Sequence, residues 1–422
     1  MAESIAAVRG GHCRCGLPRR PQASQIRRTM RRCRLAYLVS HPIQYQAPLL
    51  RRIAAEPDIE LTVLFESDHS LHEHVDREFG RTIAWDVKLL DGYRHRFLQP
   101  LPFARINGGA TFWRPLSGDL ASTLRAGAYD ALWVHGYARA NHLAALALAK
   151  RLGMRTLLRD ETTQSGRERS TLRMIAKRAA FRLIDRIVDR YLAVGSSNAQ
   201  HWRDLGLNPG KIVLMPYAVD GRLFGDATPQ EVHDVRARFG IPEDQPVILF
   251  SAKLIARKRP HDMIEAVARL QHGDGPQPAL VMAGDGDLAV AVRDRATSLG
   301  LRHVHLPGFQ TQSQLAGLYR AADILVLPSQ WETWGLVVNE AMNGGCAIVA
   351  SDRVGAAADL VRDNGIVYPV GDVGALADAL RRILGDRLLL ERMRSRSRDI
   401  IAAWSFEEDV SALRQALELP AR

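Results

Sequence analysis

Two carboxylates eight positions apart mark residues 328–342, the segment whose residue types and spacing point most clearly to chemistry. Glu332 follows the apolar run Ile324–Leu327, which the pattern predicts to be a buried strand. Glu340 lies about two turns into a helix predicted to start near Gly335. Open parallel sheets bind ligands at the carboxyl ends of their strands, and a helix start offers free N–H groups that suit a phosphate. The segment therefore predicts a site for a molecule with both a phosphate and hydroxyl groups.

Glycines in and after this segment support that interpretation. Gly335, Gly344 and Gly345 have no side chain, so the backbone at these positions can approach a ligand closely. The spacing of Glu332 and Glu340 alone is weak evidence, because a surface helix with two solvated glutamates has it too. The combination of strand, loop and glycines favours the ligand site.

A second charged segment follows the predicted strand Val247–Ser251. Its four cations lie within seven residues and are Lys253, Arg257, Lys258 and Arg259. Cations at the carboxyl end of a parallel strand suit a diphosphate, which they neutralise and bind by hydrogen bonds. A solvated basic loop is the alternative.

The elements that must position these residues are short apolar strands that alternate with longer helical stretches. Such alternation indicates doubly wound parallel sheets of the α/β class. The predicted strands are Leu35–Val39, Leu61–Phe65, Ala131–His135, Arg155–Leu158, Tyr191–Val194, Ile212–Met215, Val247–Ser251, Ala279–Ala283, Ile324–Leu327, Ala347–Ala350 and Ile366–Tyr368.

The chain divides into two doubly wound domains and a terminal helix, expected at residues 30–220, 240–400 and 401–422. The hinge is expected between Asp220 and Gln245, because residues 224–229 have the composition of a turn. Ser405 is a suitable cap for the start of the terminal helix.

The basic charge of the chain is concentrated at its start. Of the formal net charge of +11, residues 1–34 contribute nine arginines and one glutamate, which leaves +3 for the remainder. Few apolar residues and no periodicity predict that residues 1–29 form a disordered tail. Met30 is an alternative start of translation. We expect no nucleic-acid partner, with a nucleic-acid or anionic-membrane role of the tail as the alternative.

The sequence predicts neither a membrane-spanning protein nor an exported one. No apolar run reaches the roughly 20 residues that a membrane span needs. No secretory signal follows the first methionine, so we expect a cytoplasmic protein. Cys13 and Cys15 lack partner ligands at metal spacing, and the four cysteines form no disulfide framework.

The segment from Glu332 to Glu340 resembles the Glu-x7-Glu signature of the retaining glycosyltransferases of family 4, and residues 340–351 extend the match. The resemblance covers about residues 35–404. It implies the GT-B fold, in which two Rossmann-like domains face a cleft. It also implies that the C-terminal helix crosses back to the first domain.

The cationic segment is similar to the Gly-(Arg/Lys)-Leu…Lys motif of that family. Lys253 takes the first cationic position of the motif and Lys258 the later one, while Ala252 stands where the family usually has glycine. Arg257 and Arg259 fall outside the motif, and we expect them to face solvent.

The resemblance implies an enzyme that moves a sugar from a nucleotide-sugar donor to an acceptor and retains the anomeric configuration. It assigns Glu340 to the ribose hydroxyls and Glu332 to hydroxyls of the donor sugar. Lys253 and Lys258 would neutralise the diphosphate as it leaves, aided by N–H groups near Gly335. These groups supply the positive charge, so neither a metal nor another cofactor is implied.

Further donor-binding residues are implied by the same resemblance. Gly284 lies in a turn similar to the Val-x-Gly-x-Gly turn of the family, and Phe309 lies in a segment that resembles the one under the nucleotide base. A core position is the alternative for Phe309. The remaining predicted donor-binding residues follow Glu332 and are Thr333, Trp334, Gly335 and Leu336.

The first domain contributes a histidine. His135 ends the predicted strand Ala131–His135, and Gly136 permits a tight exit. A single histidine is more often structural, but this strand resembles the family's Asp-x-x-x-x-His strand, whose histidine contacts the donor sugar. His135 is therefore predicted to support the sugar and its developing positive charge.

Residues 41–48 follow the first predicted strand, at the place where many members of the family carry a Gly-Gly loop. This loop has no glycine. We expect His41, Gln44 and Tyr45 to line the acceptor side, with an ordinary turn as the alternative. Residues 159–163 end another strand and are a further candidate for the cleft. The acceptor is a glycan, a lipid-linked molecule or a small molecule.

A basic amphipathic helix is predicted within residues 167–190. Its cations recur at helical spacing opposite apolar residues that include Ile175, Ala179 and Leu183. We expect the apolar residues to pack and the cations to be solvated. Peripheral contact with an anionic membrane, at its inner face, is the alternative.

Two other functions fit the same motifs. One is a GT-B-fold sugar-nucleotide epimerase, which would form product without an acceptor. The other is a non-catalytic protein that binds a nucleotide sugar, although the presence of both glutamates and both lysines argues against lost activity.

Overall fold

The computed structural model describes residues 32–71, 74–76, 81–83, 87–102, 111–163, 171–226, 228–271 and 277–421. The disorder predicted for residues 1–29 lies outside this range. Among the described residues, no helix has the length and apolar composition required to cross a membrane.

The strands are numbered along the chain. They are β1 (Cys33–Val39), β2 (Ile59–Phe65), β3 (His74–Asp76), β4 (Arg81–Ile83), β5 (Arg94–Phe97), β6 (Ala131–His135), β7 (Arg155–Asp160), β8 (Arg190–Ala193), β9 (Ile212–Leu214), β10 (Val247–Ser251), β11 (Ala279–Ala283), β12 (Val304–Gly308), β13 (Ile324–Leu327), β14 (Ala347–Ser351) and β15 (Gly365–Tyr368).

The helices are numbered in the same way. They are α1 (Ala47–Ala54), α2 (Leu120–Gly127), α3 (Ala140–Arg151), α4 (Thr171–Ile184), α5 (Ser196–Asp204), α6 (Gly221–Gly225), α7 (Pro229–Arg238), α8 (Pro260–Gln271), α9 (Ala289–Ser298), α10 (Gln312–Ala321), α11 (Val337–Asn343), α12 (Ala357–Leu360), α13 (Val373–Leu384), α14 (Arg387–Ile401) and α15 (Phe406–Leu417).

Two parallel sheets confirm the predicted α/β class. The first sheet has the strand order β5-β2-β1-β6-β7-β8-β9, and the second has the order β12-β11-β10-β13-β14-β15. A separate antiparallel pair joins β3 and β4. Both sheets are doubly wound, because each has a hydrophobic core on both of its faces.

The strands alternate between the two cores of their sheet. In β1, Leu35 and Tyr37 point into one core, whereas Ala36 and Leu38 point into the other. This burial on both faces explains why the strands could be recognised as continuous apolar runs.

Two edge strands were not predicted. Strand β5 has the polar sequence Arg-His-Arg-Phe and is largely exposed, and β12 contains Pro307 and is only half-buried. Both lie at the edge of a sheet, where one side of the strand has no neighbour and proline is tolerated. An apolar-run criterion does not detect strands of this kind.

The stretch between the sheets is structured. Helices α6 and α7 lie between β9 and β10, and Phe224 of α6 is buried in a core of the second sheet. Asp220 caps α6 by accepting hydrogen bonds from the backbone N–H groups of Arg222 and Leu223.

Helix α15 crosses back to the first domain, as predicted. Val410 and Leu413 pack in a core of the first sheet. Arg414, also on α15, forms ion pairs with Glu56 and Asp58, each with a closest N···O distance of 2.9 Å. The predicted Ser405 cap is present as a capping box with Glu408.

Candidate functional site

A cavity of about 330 Å³ opens at the carboxyl ends of β10 and β11. Three residues predicted on the donor side line it, namely Lys253, Gly284 and Phe309. Gln44 of the first domain also lines it, and the side-chain Oε1 of Gln44 is buried without a hydrogen-bond partner in the described part of the chain. The cavity therefore lies between the domains.

Gly284 is required by the shape of this wall. Its φ of +154° falls in a region that residues with a side chain rarely adopt, and a Cβ there would overlap the carbonyl oxygen of Ala252. The backbone N–H of Gly284 donates to the carbonyl of Gly308 at 3.0 Å. Glycine thus permits the loop after β10 and the loop after β11 to pack backbone against backbone.

The loop after β13 holds Glu332 in a cluster of donors. Lys258 Nζ donates to Glu332 Oε1, and Ser329 Oγ donates to the same oxygen at 2.9 Å. Burial lowers the pKa of Lys258, although the carboxylate of Glu332 opposes this shift. The structure therefore brings together two of the residues predicted to be catalytic.

Arg257 was expected to face solvent, but its side chain contacts two residues of the loop after β13. Its guanidinium lies 4.8 Å from the ring centroid of Trp331 and 3.5 Å from Glu332 Oε2. Arg259 turns away from the cluster and pairs with Asp262 at 2.6 Å. The Glu332 carboxylate therefore has two cationic neighbours, of which the motif identified only Lys258.

Glu340 is buried and lies at the end of a short hydrogen-bond chain. Tyr319 Oη donates to Glu340 Oε2 at 2.7 Å and lies 2.9 Å from Ser251 Oγ. Burial raises the pKa of Glu340 to about 7. Glu340 lines a small cavity that shares Gln312 with the larger one, so the carboxyl is adjacent to the predicted donor site.

His135 stands at the carboxyl end of β6, with partners at both ring nitrogens. Its Nδ1 lies 3.0 Å from Tyr37 Oη and 3.4 Å from Gln46 Nε2. Its Nε2 lies 3.5 Å from Glu161 Oε1. Glu161 directly follows β7, so parallel strands β6 and β7 deliver the imidazole and the carboxylate to the same edge of the sheet.

Glu161 connects the two domains. It accepts hydrogen bonds from Tyr217 Oη and, at 3.4 Å each, from Tyr45 Oη and from Thr333 Oγ1 of the second domain. Burial alone would raise its pKa, but the hydrogen bonds and charge of His135, with Tyr217, lower it. Glu161 was included only as part of a candidate strand end, and no motif identifies it.

The residues that follow Thr333 mostly serve packing. The Trp334 ring is 2% exposed and stacks on Trp404 at 5.3 Å, while its Nε1 donates to Asn339 Oδ1 at 2.8 Å. Gly335 has a φ of +101° beside Leu327, and Leu336 packs against the same core. The side chains of Thr333, Trp334 and Leu336 were predicted to bind the donor, but they do not line the cavity of about 330 Å³. Val337 does line it.

The glycine pair after α11 has a structural explanation. A Cβ on Gly344 would lie 2.8 Å from the Tyr319 backbone, and one on Gly345 would overlap the Arg398 guanidinium. These glycines allow contact within the protein and do not line the cavity.

The predicted acceptor side is only partly assembled. Tyr45 lines the small cavity beside Glu340, and Gln44 lines the large one. The His41 ring lies apart from both cavities, with its Nδ1 2.8 Å from Ser40 Oγ and its centroid 4.3 Å from that of His69.

Residues 232–400 match the sequence model of the family described as glycosyl transferases group 1. An uncharacterised glycosyltransferase of Methanocaldococcus jannaschii is 31% identical over 46% of this chain and 51% of its own length. D-inositol 3-phosphate glycosyltransferase of Geodermatophilus obscurus is 33% identical over 53% of this chain and 51% of its own length. The chain thus spans about half the length of these curated relatives.

Solved structures share the fold over nearly the whole chain. HepE from Anabaena, crystallised with UDP and glucose, covers 92% of this chain and 99% of its own, with a TM-score of 0.68 and 18% identity. Sucrose-phosphate synthase from Thermosynechococcus elongatus covers 92% and 98%, with a TM-score of 0.65 and 19% identity. These likenesses confirm the predicted GT-B fold.

Proposed function

We propose that this protein is a glycosyltransferase, because residues 232–400 match the model of the glycosyl transferases group 1 family and the chain has a GT-B fold. It takes a sugar from a nucleotide-sugar donor and retains the anomeric configuration. The observation that carries this proposal is the interdomain cavity, which brings Lys253, Gly284 and Phe309 together beside Glu340.

The donor is proposed to lie across this cavity. Its base is placed near Phe309 and its ribose near Glu340, whose carboxyl lies in the adjoining cavity. The diphosphate is placed near Lys253 and Lys258, which supply two positive charges at the end of β10. The crystal structure of HepE contains UDP, so UDP-sugars are the first donors to test.

The sugar is proposed to lie between Glu332 and His135. Lys258 and Ser329 donate to Glu332 Oε1, and Arg257 Nη1 lies 3.5 Å from both carboxylate oxygens. Glu332 Oε2 is proposed to accept a hydrogen bond from the sugar. His135 lies on the opposite side of the cleft. The bond from the anomeric carbon to the diphosphate breaks as the acceptor oxygen attacks the same face, and the acceptor proton passes to the leaving diphosphate.

Glu161 is proposed to position His135 in this reaction. The carboxylate lies 3.5 Å from His135 Nε2 and is held by Tyr217, Tyr45 and Thr333. A fixed negative charge beside the imidazole favours a single orientation of the ring and stabilises positive charge near the anomeric carbon. Because Thr333 belongs to the second domain, its contact with Glu161 forms only when the two domains are close together.

A donor screen tests the proposal. Release of nucleoside diphosphate is measured for a panel of UDP-, GDP- and ADP-sugars, with and without cell extracts that contain acceptors. A glycosyltransferase gives release that depends on the acceptor. Conversion of the donor sugar without an acceptor would instead identify an epimerase, and tight binding without turnover would identify a binding protein.

A further inference from the structure

Helix α4 packs through a face that the sequence pattern did not predict. Phe181 is buried against the ring of Tyr137, at a centroid distance of 4.8 Å. Lys177 was expected among the solvated cations, but its Nζ lies 5.5 Å from the Phe181 ring centroid and 2.9 Å from His201 Nε2. The helix is therefore rotated about its axis relative to the expected packing.

The rotation leaves aliphatic residues in solvent. Ile175 and Leu183 are 57% and 61% exposed, and Ala179 between them is exposed as well. A spacing of four residues places the three in one row along the helix. Single exposed apolar residues are ordinary. A contiguous row of them is typical of a surface that binds a membrane or another protein.

Arginines border this row. Arg178 and Arg182 of α4 and Arg186, two residues beyond its end, are exposed at intervals of four residues. Arg178 Nε also donates to the Asp204 carbonyl at 2.9 Å. The neighbouring Asp185 is bound by Lys211 and Tyr191, at 3.1 and 3.2 Å. We use the term α4 face for the surface formed by Ile175, Arg178, Ala179, Arg182, Leu183 and Arg186.

The first domain also exposes a pair of aromatic residues. Phe112 and Trp113 are 44% and 66% exposed and meet edge to face at 4.8 Å. The Phe112 carbonyl accepts a hydrogen bond from the N–H of Ala140, three residues after the Tyr137 that packs on α4. Tryptophan is enriched where proteins meet the headgroups of a bilayer.

We propose that the α4 face docks on an anionic lipid bilayer. The aliphatic row enters the headgroup region and the arginines contact lipid phosphates. The charge argues against a second copy of this chain as the occupant, because a symmetric contact would place these arginines against themselves. This inference goes beyond sugar transfer and does not rest on it.

Vesicle sedimentation with the full chain tests the aliphatic row. The wild type is expected to bind vesicles that contain phosphatidylglycerol more tightly than vesicles of phosphatidylcholine. The double variant Ile175→Ser/Leu183→Ser is expected to lower the partition coefficient about tenfold. The matched control Val290→Ser/Leu388→Ser removes residues of the second domain that are 63% and 70% exposed, and it should bind like the wild type.

A second pair of variants tests the charge. Arg182→Gln/Arg186→Gln is expected to weaken binding to anionic vesicles about tenfold or more, and added salt should reduce the difference. Arg293→Gln/Arg302→Gln removes two exposed charges of the second domain and should have no such effect. The arginines of residues 1–31 are present in all four variants, so the matched controls isolate the contribution of α4.

Three results would overturn the proposal. They are absence of binding to anionic vesicles, equal binding by the α4 variants and their controls, and light scattering that shows a dimer dispersed by Ile175→Ser/Leu183→Ser. Circular dichroism and melting temperature establish that each variant is folded, which surface substitutions at helix positions should permit.

Discussion

The charged groups of the cleft form close partnerships. Lys258 and Glu332 contact each other, and Glu161 lies 3.5 Å from His135 and hydrogen-bonds Thr333 across the domains. A group held in this way has a defined position before the substrate arrives, which lowers the reorganisation that the reaction requires.

Loss of the cation proposed to face the diphosphate should slow transfer. Lys258→Ala is expected to reduce turnover about 10²- to 10³-fold, because one charge-stabilising group of the leaving diphosphate is removed. Arg259→Ala is the matched control, since Arg259 pairs with Asp262 outside the cavity. Initial-rate kinetics measures both, and near-normal turnover of Lys258→Ala would remove this residue from the proposed mechanism.

The two glutamates should divide the donor between them. Glu340→Gln is expected to weaken binding of UDP, whereas Glu332→Gln should leave that binding nearly intact and reduce sugar transfer. Loss of a charged hydrogen bond should change the dissociation constant or the transfer rate roughly ten- to a hundredfold. Calorimetry with UDP alone separates the two roles. If both variants bind UDP like the wild type, the donor is misplaced.

Binding of UDP should also depend on pH through Glu340. Its pKa is raised to about 7, and the ionised carboxylate is the form that accepts hydrogen bonds from ribose. The ionised fraction rises about tenfold from pH 6 to pH 8, so the apparent dissociation constant should fall by a similar factor. Glu340→Gln should lose this part of the dependence and retain only that of UDP itself. An unchanged pH profile in Glu340→Gln would contradict the assignment.

At the scale of elements, parallel strands bring the site together. Strands β6 and β7 deliver His135 and Glu161 to one edge, and β10 and β11 frame the cavity across the cleft. The buried strands could be predicted because burial on both faces gives continuous apolar runs. The edge strands β5 and β12 could not, since neither is a buried apolar run.

The positions of the motif residues relative to the strands could also be predicted. Lys253, Gly284 and Glu332 follow strands at recognisable spacing. Tyr319 and Glu161 lie outside the motifs, and each meets a partner that is distant in the chain. Such partnerships depend on how the helices and the two sheets pack, which local spacing does not encode.

Backbone packing at the end of β11 should require Gly284. Gly284→Ala is expected to destabilise the fold by about 2 kcal/mol or more, because a Cβ would overlap the Ala252 carbonyl in a region reserved for glycine. Gly300→Ala is the matched control, since φ is +66° there and a Cβ would meet nothing within 4 Å. Gly300→Ala should lower the free energy of unfolding by about 1 kcal/mol. Urea unfolding distinguishes them, and equal costs would contradict the predicted overlap.

Attachment of α15 should depend on Arg414. Its side chain is 4% exposed and pairs with Glu56 and Asp58, so Arg414→Ala removes a buried cation from both carboxylates, although Glu56 keeps its pair with Arg52. A cost of about 3 kcal/mol is expected. Arg387→Ala, which removes a 90% exposed side chain, should cost at most about 1 kcal/mol. Chemical denaturation measures both, and a small effect at Arg414 would show that apolar packing alone holds α15.

At the scale of the whole molecule, the chain leaves the second domain and returns to the first. Helix α15 packs on the first sheet, while Glu161 and Thr333 meet across the cleft. Asn339 Nδ2 of the second domain also donates to the Tyr217 carbonyl at 2.9 Å, close to the point where the chain leaves the first sheet. These links join the two domains across the cleft, so the account requires both domains for transfer.

The most direct test of the account is the configuration of the product formed from an active donor and acceptor. NMR of the anomeric proton during turnover distinguishes retention from inversion, with Lys258→Ala as the control for dependence on the site. The account predicts an axial linkage from an axial donor, formed together with an equal amount of nucleoside diphosphate. An inverted linkage, or product formed at the wild-type rate by Lys258→Ala, would contradict it.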